Sequence, residues 1–140
     1  IWEHWDGLKD DGSMWSADMN SFNHYAYGAI GEWMYRAMAG IEADPDQPGF
    51  KHAVLYPRIG GNLKYTEGNY HSVYGNVGVK WEVQGTQILL TVQIPVNTTA
   101  QIRLDQAKAV VKSDGLTFTK AADYMSAEAG SGTYHIVFEQ

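Results

Sequence analysis

The chain has no cysteine. That excludes a disulfide framework and a thiolate metal site, and it leaves the compartment open. Basic residues are scarce, ten Lys and Arg against sixteen Asp and Glu, and the formal net charge is −6. The ten are scattered without a basic stripe, so no nucleic-acid partner is expected, because a phosphate backbone calls for a basic face. No stretch approaches the roughly 18 continuous apolar residues of a spanning helix, and no membrane partner is expected. Ile1 onward shows neither the basic region nor the apolar run of a signal peptide. The chain does not begin with Met, and we expect it to be a piece of a longer protein, cut inside a folded region. Metal signatures are missing too. His4 with His24, or Asp44 with Asp46, form neither an H-E-x-x-H pattern nor a complete calcium loop. Ser13, Ser16 and Ser21 have no nucleophile-elbow context, and no glycine-rich phosphate loop precedes a helix. Neither a metal nor another cofactor is expected.

Aromatic residues are abundant. They make up 13% of the chain, and Trp2, Trp5 and Trp15 stand among its first fifteen residues. An indole face covers the apolar C–H face of a pyranose, while acids and amides take its hydroxyls. Ordinary core packing is the plainer reading of the same composition. With 44% hydrophobic and 19% charged residues, the chain has a globular composition rather than a disordered one.

The pattern changes near residue 45. Over residues 18 to 39, Phe22, Ala26, Ala29, Ile30, Trp33, Met34 and Ala37 recur at steps of three and four, which predicts an amphipathic helix. Ser16, Asp18 or Ser21 can cap its start, and Gly40 suits its C-terminal end. Gly28 and Gly31 lie inside it and imply close neighbours, because each costs about 1 kcal/mol relative to Ala. A single helix cannot bury its apolar stripe alone, so this one is expected to belong to a larger helical domain.

The connector DPDQPG at 44–49 is the expected domain boundary. Beyond it the period becomes two. Strands are expected over 51–58, 64–72, 76–84, 88–96, 99–104, 110–120 and 133–139, with a Gly-Ser-Gly turn at 130–132. Val77, Val79, Trp81 and Val83 alternate with smaller or polar residues, and Ile88, Leu90, Val92 and Ile94 share one face. Short strands without helical interruption suggest an antiparallel sandwich.

Three groups could carry chemistry. Glu3, between Trp2 and Trp5, is expected to be partly shielded from water, a setting suited to an acid or base in glycoside hydrolysis. Otherwise it is a surface carboxylate in a loop. His24, in Asn23-His24-Tyr25 near the expected helix start, either reads sugar hydroxyls from a Trp-lined cleft or bonds a nearby carbonyl. Tyr65, Tyr70 and Tyr74 with His71, or Trp81, could form a stacking platform of a carbohydrate-binding sandwich, or simply pack the sheet.

Taken in order, W-E-H-W-D-G, then S-F-N-H-Y-A-Y-G-A-I-G-E-W, then D-P-D-Q-P-G-F-K-H-A-V-L-Y-P-R and a β-sandwich, the chain resembles the C-terminal end of the bacterial α-L-rhamnosidases of glycoside hydrolase family 78. The likeness runs through about the first 85 residues and is only architectural afterwards. It implies an α+β fragment, the last helix of an (α/α)6 barrel followed by an antiparallel β-sandwich. Residues 1–45 would end the catalytic barrel and 46–140 would form the C-terminal sandwich. The resemblance implies that Glu3 is the general base of an inverting hydrolysis of terminal α-L-rhamnosyl residues. His24 would bind the sugar, with Trp2 and Trp5 as the wall. The family's general acid lies on an earlier barrel loop, and nothing here matches it. The implied partners are a rhamnose-containing glycoside and the rest of the parent catalytic domain. The fragment alone is expected to be inactive. It would expose Phe22, Trp33 and Met34 and could dimerise through that helix face. The alternative is a non-catalytic carbohydrate-binding or structural β-sandwich module.

Overall fold

The computed structural model describes residues 1–18 and 21–140. It divides into two compact units, Ile1–Glu32 and Trp33–Gln140. The division falls within a short helix, α1 (Gly28–Trp33), which continues as a π-helical segment, Met34–Ala39.

That helix begins about ten residues later than its sequence pattern suggests. The amide of His24 donates to the Ile1 carbonyl and that of Glu3 to the Ser21 carbonyl, both at 2.8 Å. Backbone groups committed to a distant segment cannot enter an i→i−4 ladder, and residues 21–27 stay out of the helix. The expected caps lose their place accordingly. Ser16 Oγ instead accepts from the Asp18 amide at 3.2 Å. Met19 and Asn20, within the expected helix, lie outside the described residues. Gly28 leaves room for its neighbour, since a Cβ there would sit 2.0 Å from the Tyr25 ring. Gly31 meets nothing within 4 Å, so its expected close neighbour is not found among the described residues.

Gly40 ends the helix as expected. Its φ is 76° and its ψ is 34°, the left-handed conformation that costs glycine little. A Cβ there would lie 2.0 Å from the backbone nitrogen of Pro57, so glycine is also required by space. The helix end is stitched to the same stretch from both sides. Tyr56 N–H donates to the Gly40 carbonyl at 2.8 Å, and Arg58 N–H to the Ala37 carbonyl at 2.9 Å.

The second unit is a β-sandwich of two five-stranded sheets. One sheet runs β1 (Ile41–Ala43), β2 (His52–Leu55), β6 (Thr99–Asp105), β9 (Tyr124–Ala129) and β8 (Thr119–Lys120). The other runs β3 (Tyr65–Ser72), β4 (Gly75–Gln84), β5 (Gln87–Ile94), β10 (Gly132–Glu139) and β7 (Ala109–Lys112). Pairing is antiparallel with one exception: β2 and β6 are parallel, His52 beside Thr99 and Leu55 beside Ile102. The purely antiparallel expectation is therefore corrected. The expected strand over 110–120 is also two strands, β7 and β8, in different sheets. Ser113-Asp114-Gly115 breaks it, with positive φ at Asp114 (46°) and Gly115 (86°).

Alternation places the core. Trp81 faces Leu90 across the β4–β5 ladder and Val79 faces Val92, while Ile136 and Phe138 of β10 stand beside Leu90 and Ile88. Leu55, Ile102 and Leu104 of the other sheet complete one buried cluster with them. Trp81 is wholly buried, and its indole N–H donates to the Met38 carbonyl at 2.8 Å. A buried indole needs such a partner, and here the partner is the helix end. Gly68 of β3 lies against the same end, since a Cβ there would come within 2.6 Å of the Ala39 Cβ.

Candidate active-site segment

The first unit is organised by a small hairpin. Leu8 bridges Met14, and the Trp15 amide donates to the Gly7 carbonyl at 3.1 Å. Asp11 closes the tip by accepting from the Ser13 hydroxyl at 2.6 Å and the Ser13 amide at 2.8 Å. These bonds to its charged form hold the Asp11 carboxyl below its usual range. The hairpin carries Trp15 back against His4, with ring centroids 4.8 Å apart. His4 Nε2 is buried, with no hydrogen-bond partner among the described residues.

The two motifs that stand some twenty residues apart in sequence come together. The backbone bonds between residues 1–3 and 21–24 place Glu3 and His24 on adjoining segments. Trp2 meets Phe22 edge to face, with centroids 4.9 Å apart and planes at 72°. This contact locks the same pair of segments through side chains. Ile1, Trp2, Trp5 and Tyr27 line an open cleft of about 460 Å³. Trp2 and Trp5 are the wall expected from the sequence; Tyr27 joins them, and its N-H-Y-A-Y context is a usable signal for it.

Glu3 and His24 are both exposed. The shielding of Glu3 between two indoles is not found, because Trp2 turns to Phe22 and Trp5 is 89% exposed. His24 precedes the helix by several residues, so no helix N-terminus stands behind it. Its carbonyl accepts from Ala26 N–H at 2.9 Å, a tight turn that ends the paired segment.

Elsewhere the platform candidates separate. Trp81 is core and presents no face to a ligand. Tyr70 is partly exposed and stacks on Phe50 at 4.4 Å. Tyr65 donates to Glu67, a bond to its protonated form that pushes its phenol above the usual range. Tyr74 carries the Lys51 ammonium 5.3 Å above its ring. Among the described residues no three His, Asp or Glu side chains are grouped to hold a metal ion.

The first unit thus carries an open cleft lined by Trp2 and Trp5, and hydrogen bonds join the backbone segments that bear Glu3 and His24. Comparison with known proteins gives the family. Residues 1–38 match the bacterial alpha-L-rhamnosidase six-hairpin glycosidase domain, and residues 40–118 match the bacterial alpha-L-rhamnosidase C-terminal domain. The chain belongs to the bacterial α-L-rhamnosidase family. It is 39% identical over 137 residues to an alpha-L-rhamnosidase of Streptomyces avermitilis, covering 96% of this chain and 13% of that protein. An alpha-L-rhamnosidase of Formosa agariphila is 38% identical over 121 residues, 85% of this chain and 13% of that protein. Among solved structures, the Streptomyces avermitilis alpha-L-rhamnosidase complexed with L-rhamnose superposes with a TM-score of 0.78 at 36% identity. It covers 98% of this chain and 13% of that one. The alpha-L-rhamnosidase from Dictyoglumus thermophilum gives 0.80 at 26% identity, covering 100% of this chain and 16% of that one. The chain thus spans only a small part of the relatives it matches.

Proposed function

We propose that this chain supplies one side of the active site of an inverting α-L-rhamnosidase. Glu3 is the general base. It takes a proton from a water that attacks the anomeric carbon of a terminal α-L-rhamnosyl residue. The glycosidic oxygen leaves with a proton from a carboxylic acid that this chain does not contain. Inversion requires the two carboxyls to stand about 6.5–9.5 Å apart, with the water between Glu3 and the sugar. His24 holds sugar hydroxyls, and Trp2 and Trp5 wall the sugar's apolar face. No cofactor takes part.

The observation that carries this reading is the pair of 2.8 Å backbone hydrogen bonds joining Glu3 to Ser21 and His24 to Ile1. They tie the segment that bears the proposed base to the segment that bears the proposed sugar ligand, and such ties support a positioned base. In this reading residues 1–45 close an (α/α)6 barrel, with the Gly28–Ala39 stretch as its last helix, and residues 46–140 form the sandwich that buttresses it. The rest of the parent catalytic domain would cover the exposed side chains of Trp33 and Met34. In its absence, a second copy of the chain would meet that helix face.

The test compares hydrolysis of an aryl α-L-rhamnoside by the isolated 140 residues and by the full parent protein. The parent is expected to turn over and the isolated chain is not, because half of the carboxyl pair is missing. Turnover by the isolated chain would overturn the division of catalytic groups.

A further inference from the structure

A second cavity lies in the sandwich, at the end of β6. It is open to solvent, with a volume of about 730 Å³, and Arg58, Arg103, Lys120, Asp123, Tyr124 and Gln106 stand around it. Two of the chain's three arginines converge there, in a protein whose net charge is −6. Both stand over tyrosine rings. The Arg58 guanidinium lies 3.5 Å over the Tyr56 ring, and the Arg103 guanidinium 5.1 Å over Tyr124. The rings themselves pack at 5.4 Å. A cation–π contact holds a guanidinium beside the ring without using its N–H groups, which can still fork onto an oxyanion.

The acidic groups do not cancel this. Asp105 is buried, and it already accepts from the Tyr56 hydroxyl at 3.2 Å and Arg58 at 3.5 Å. Burial and the neighbouring Asp105 push the Tyr56 phenol above its usual range, which keeps it a proton donor to that carboxylate. Arg103 spends its Nε on Gln101 at 2.5 Å, which orients its two terminal nitrogens. Gln106 also lines the cavity, with φ 49°, an uncommon conformation for a residue with a side chain, and its backbone N–H donates to the Asp123 carbonyl at 3.0 Å.

We infer that this cavity binds a saccharide carrying a carboxylate, a uronate unit, with Arg103 and Lys120 on the carboxylate and Asp123 and Gln106 on ring hydroxyls. The size fits a sugar unit better than a bare ion, since ligand pockets run from about 300 to 1,000 Å³. The exposed Asp123 carboxylate would repel a small multivalent anion but accepts hydrogen bonds from hydroxyls. The inference stands apart from the proposed catalytic role, because every group it uses lies in the sandwich.

Calorimetric titration of the full parent protein with D-galacturonate, D-glucuronate, D-galactose, acetate and inorganic phosphate tests it. A uronate is expected to bind about tenfold or more tightly than galactose and than acetate or phosphate, the difference expected of charge-assisted hydrogen bonds. Arg103→Gln and, separately, the exposed Lys120→Gln should each weaken uronate binding at least severalfold while leaving aryl rhamnoside hydrolysis unchanged. Four results would overturn the inference: no measurable uronate binding, equal binding of galactose, equal binding of acetate or phosphate, or uronate binding untouched by both variants. Lys120 lies on a short exposed strand, so its variant remains informative if Arg103→Gln fails to fold.

Discussion

Glu3→Gln in the parent protein is expected to lower kcat on an aryl α-L-rhamnoside by about a thousandfold, with KM nearly unchanged. Gln keeps the size and shape of Glu, with one carboxylate oxygen replaced by an NH2 donor, and it cannot take a proton from water at neutral pH. Proton transfer by a positioned side chain is worth about 10²- to 10⁴-fold, and the middle of that range corresponds to about 4 kcal/mol of barrier. The variant should fold as well as the wild type. The Glu3 side chain is exposed, and the bond that fixes its segment comes from its backbone amide to Ser21. Loss of rate with an unchanged melting temperature therefore isolates chemistry from stability. An equally active Glu3→Gln enzyme would leave the family assignment standing and move the base elsewhere.

Trp81→Ala is expected to destabilise the sandwich by about 3–5 kcal/mol, the range for removing a large buried aromatic. Its side chain is fully buried between Leu90 of its own sheet and the opposed residues of the other. A domain of this size has only about 5–15 kcal/mol to lose. The indole also satisfies the Met38 carbonyl. Trp81→Phe keeps most of the ring but leaves that carbonyl without its donor, and should cost about 1–3 kcal/mol. Urea denaturation at matched m-value measures both. If Trp81→Ala left the midpoint unchanged, the packing described around β4 would be wrong.

Much of the sandwich was legible because its strands alternate cleanly. Val77, Val79 and Trp81 against Leu90 and Val92 can be read from period two alone, and the structure buries all five. Gly40 was legible for a different reason, since a helix end needs a left-handed residue. The errors share a cause: local pattern cannot see distant partners. Phe22 and Ala26 carry helical spacing, yet the backbone around them is claimed by residues 1–3. The parallel pairing of β2 with β6 joins His52 to Thr99, and no local period reports strand direction. Strand β9 was missed because its buried positions include Ala127 and Ala129, too small to mark a face. Trp81 was offered as a sugar platform because alternation alone does not say which face is wet.

At the candidate site the sequence named Trp2, Glu3, Trp5 and His24, and the first unit brings the segments of Glu3 and His24 together. The sequence did not reveal that Glu3 is open to water, because burial depends on where the neighbouring indoles turn. The sandwich cavity was not read at all. Tyr56 and Arg58 lie more than forty residues from Arg103 and Tyr124, and only the fold stacks them.

The central claim is that Glu3 and His24 serve one bound rhamnose. It is tested most directly by a crystal structure of the full parent protein with L-rhamnose bound. His24 is expected to hydrogen-bond a sugar hydroxyl and Glu3 to stand one water away from the anomeric carbon, with Trp2 or Trp5 against the ring. A rhamnose bound in the catalytic domain with neither Glu3 nor His24 in contact, directly or through one water, would contradict it.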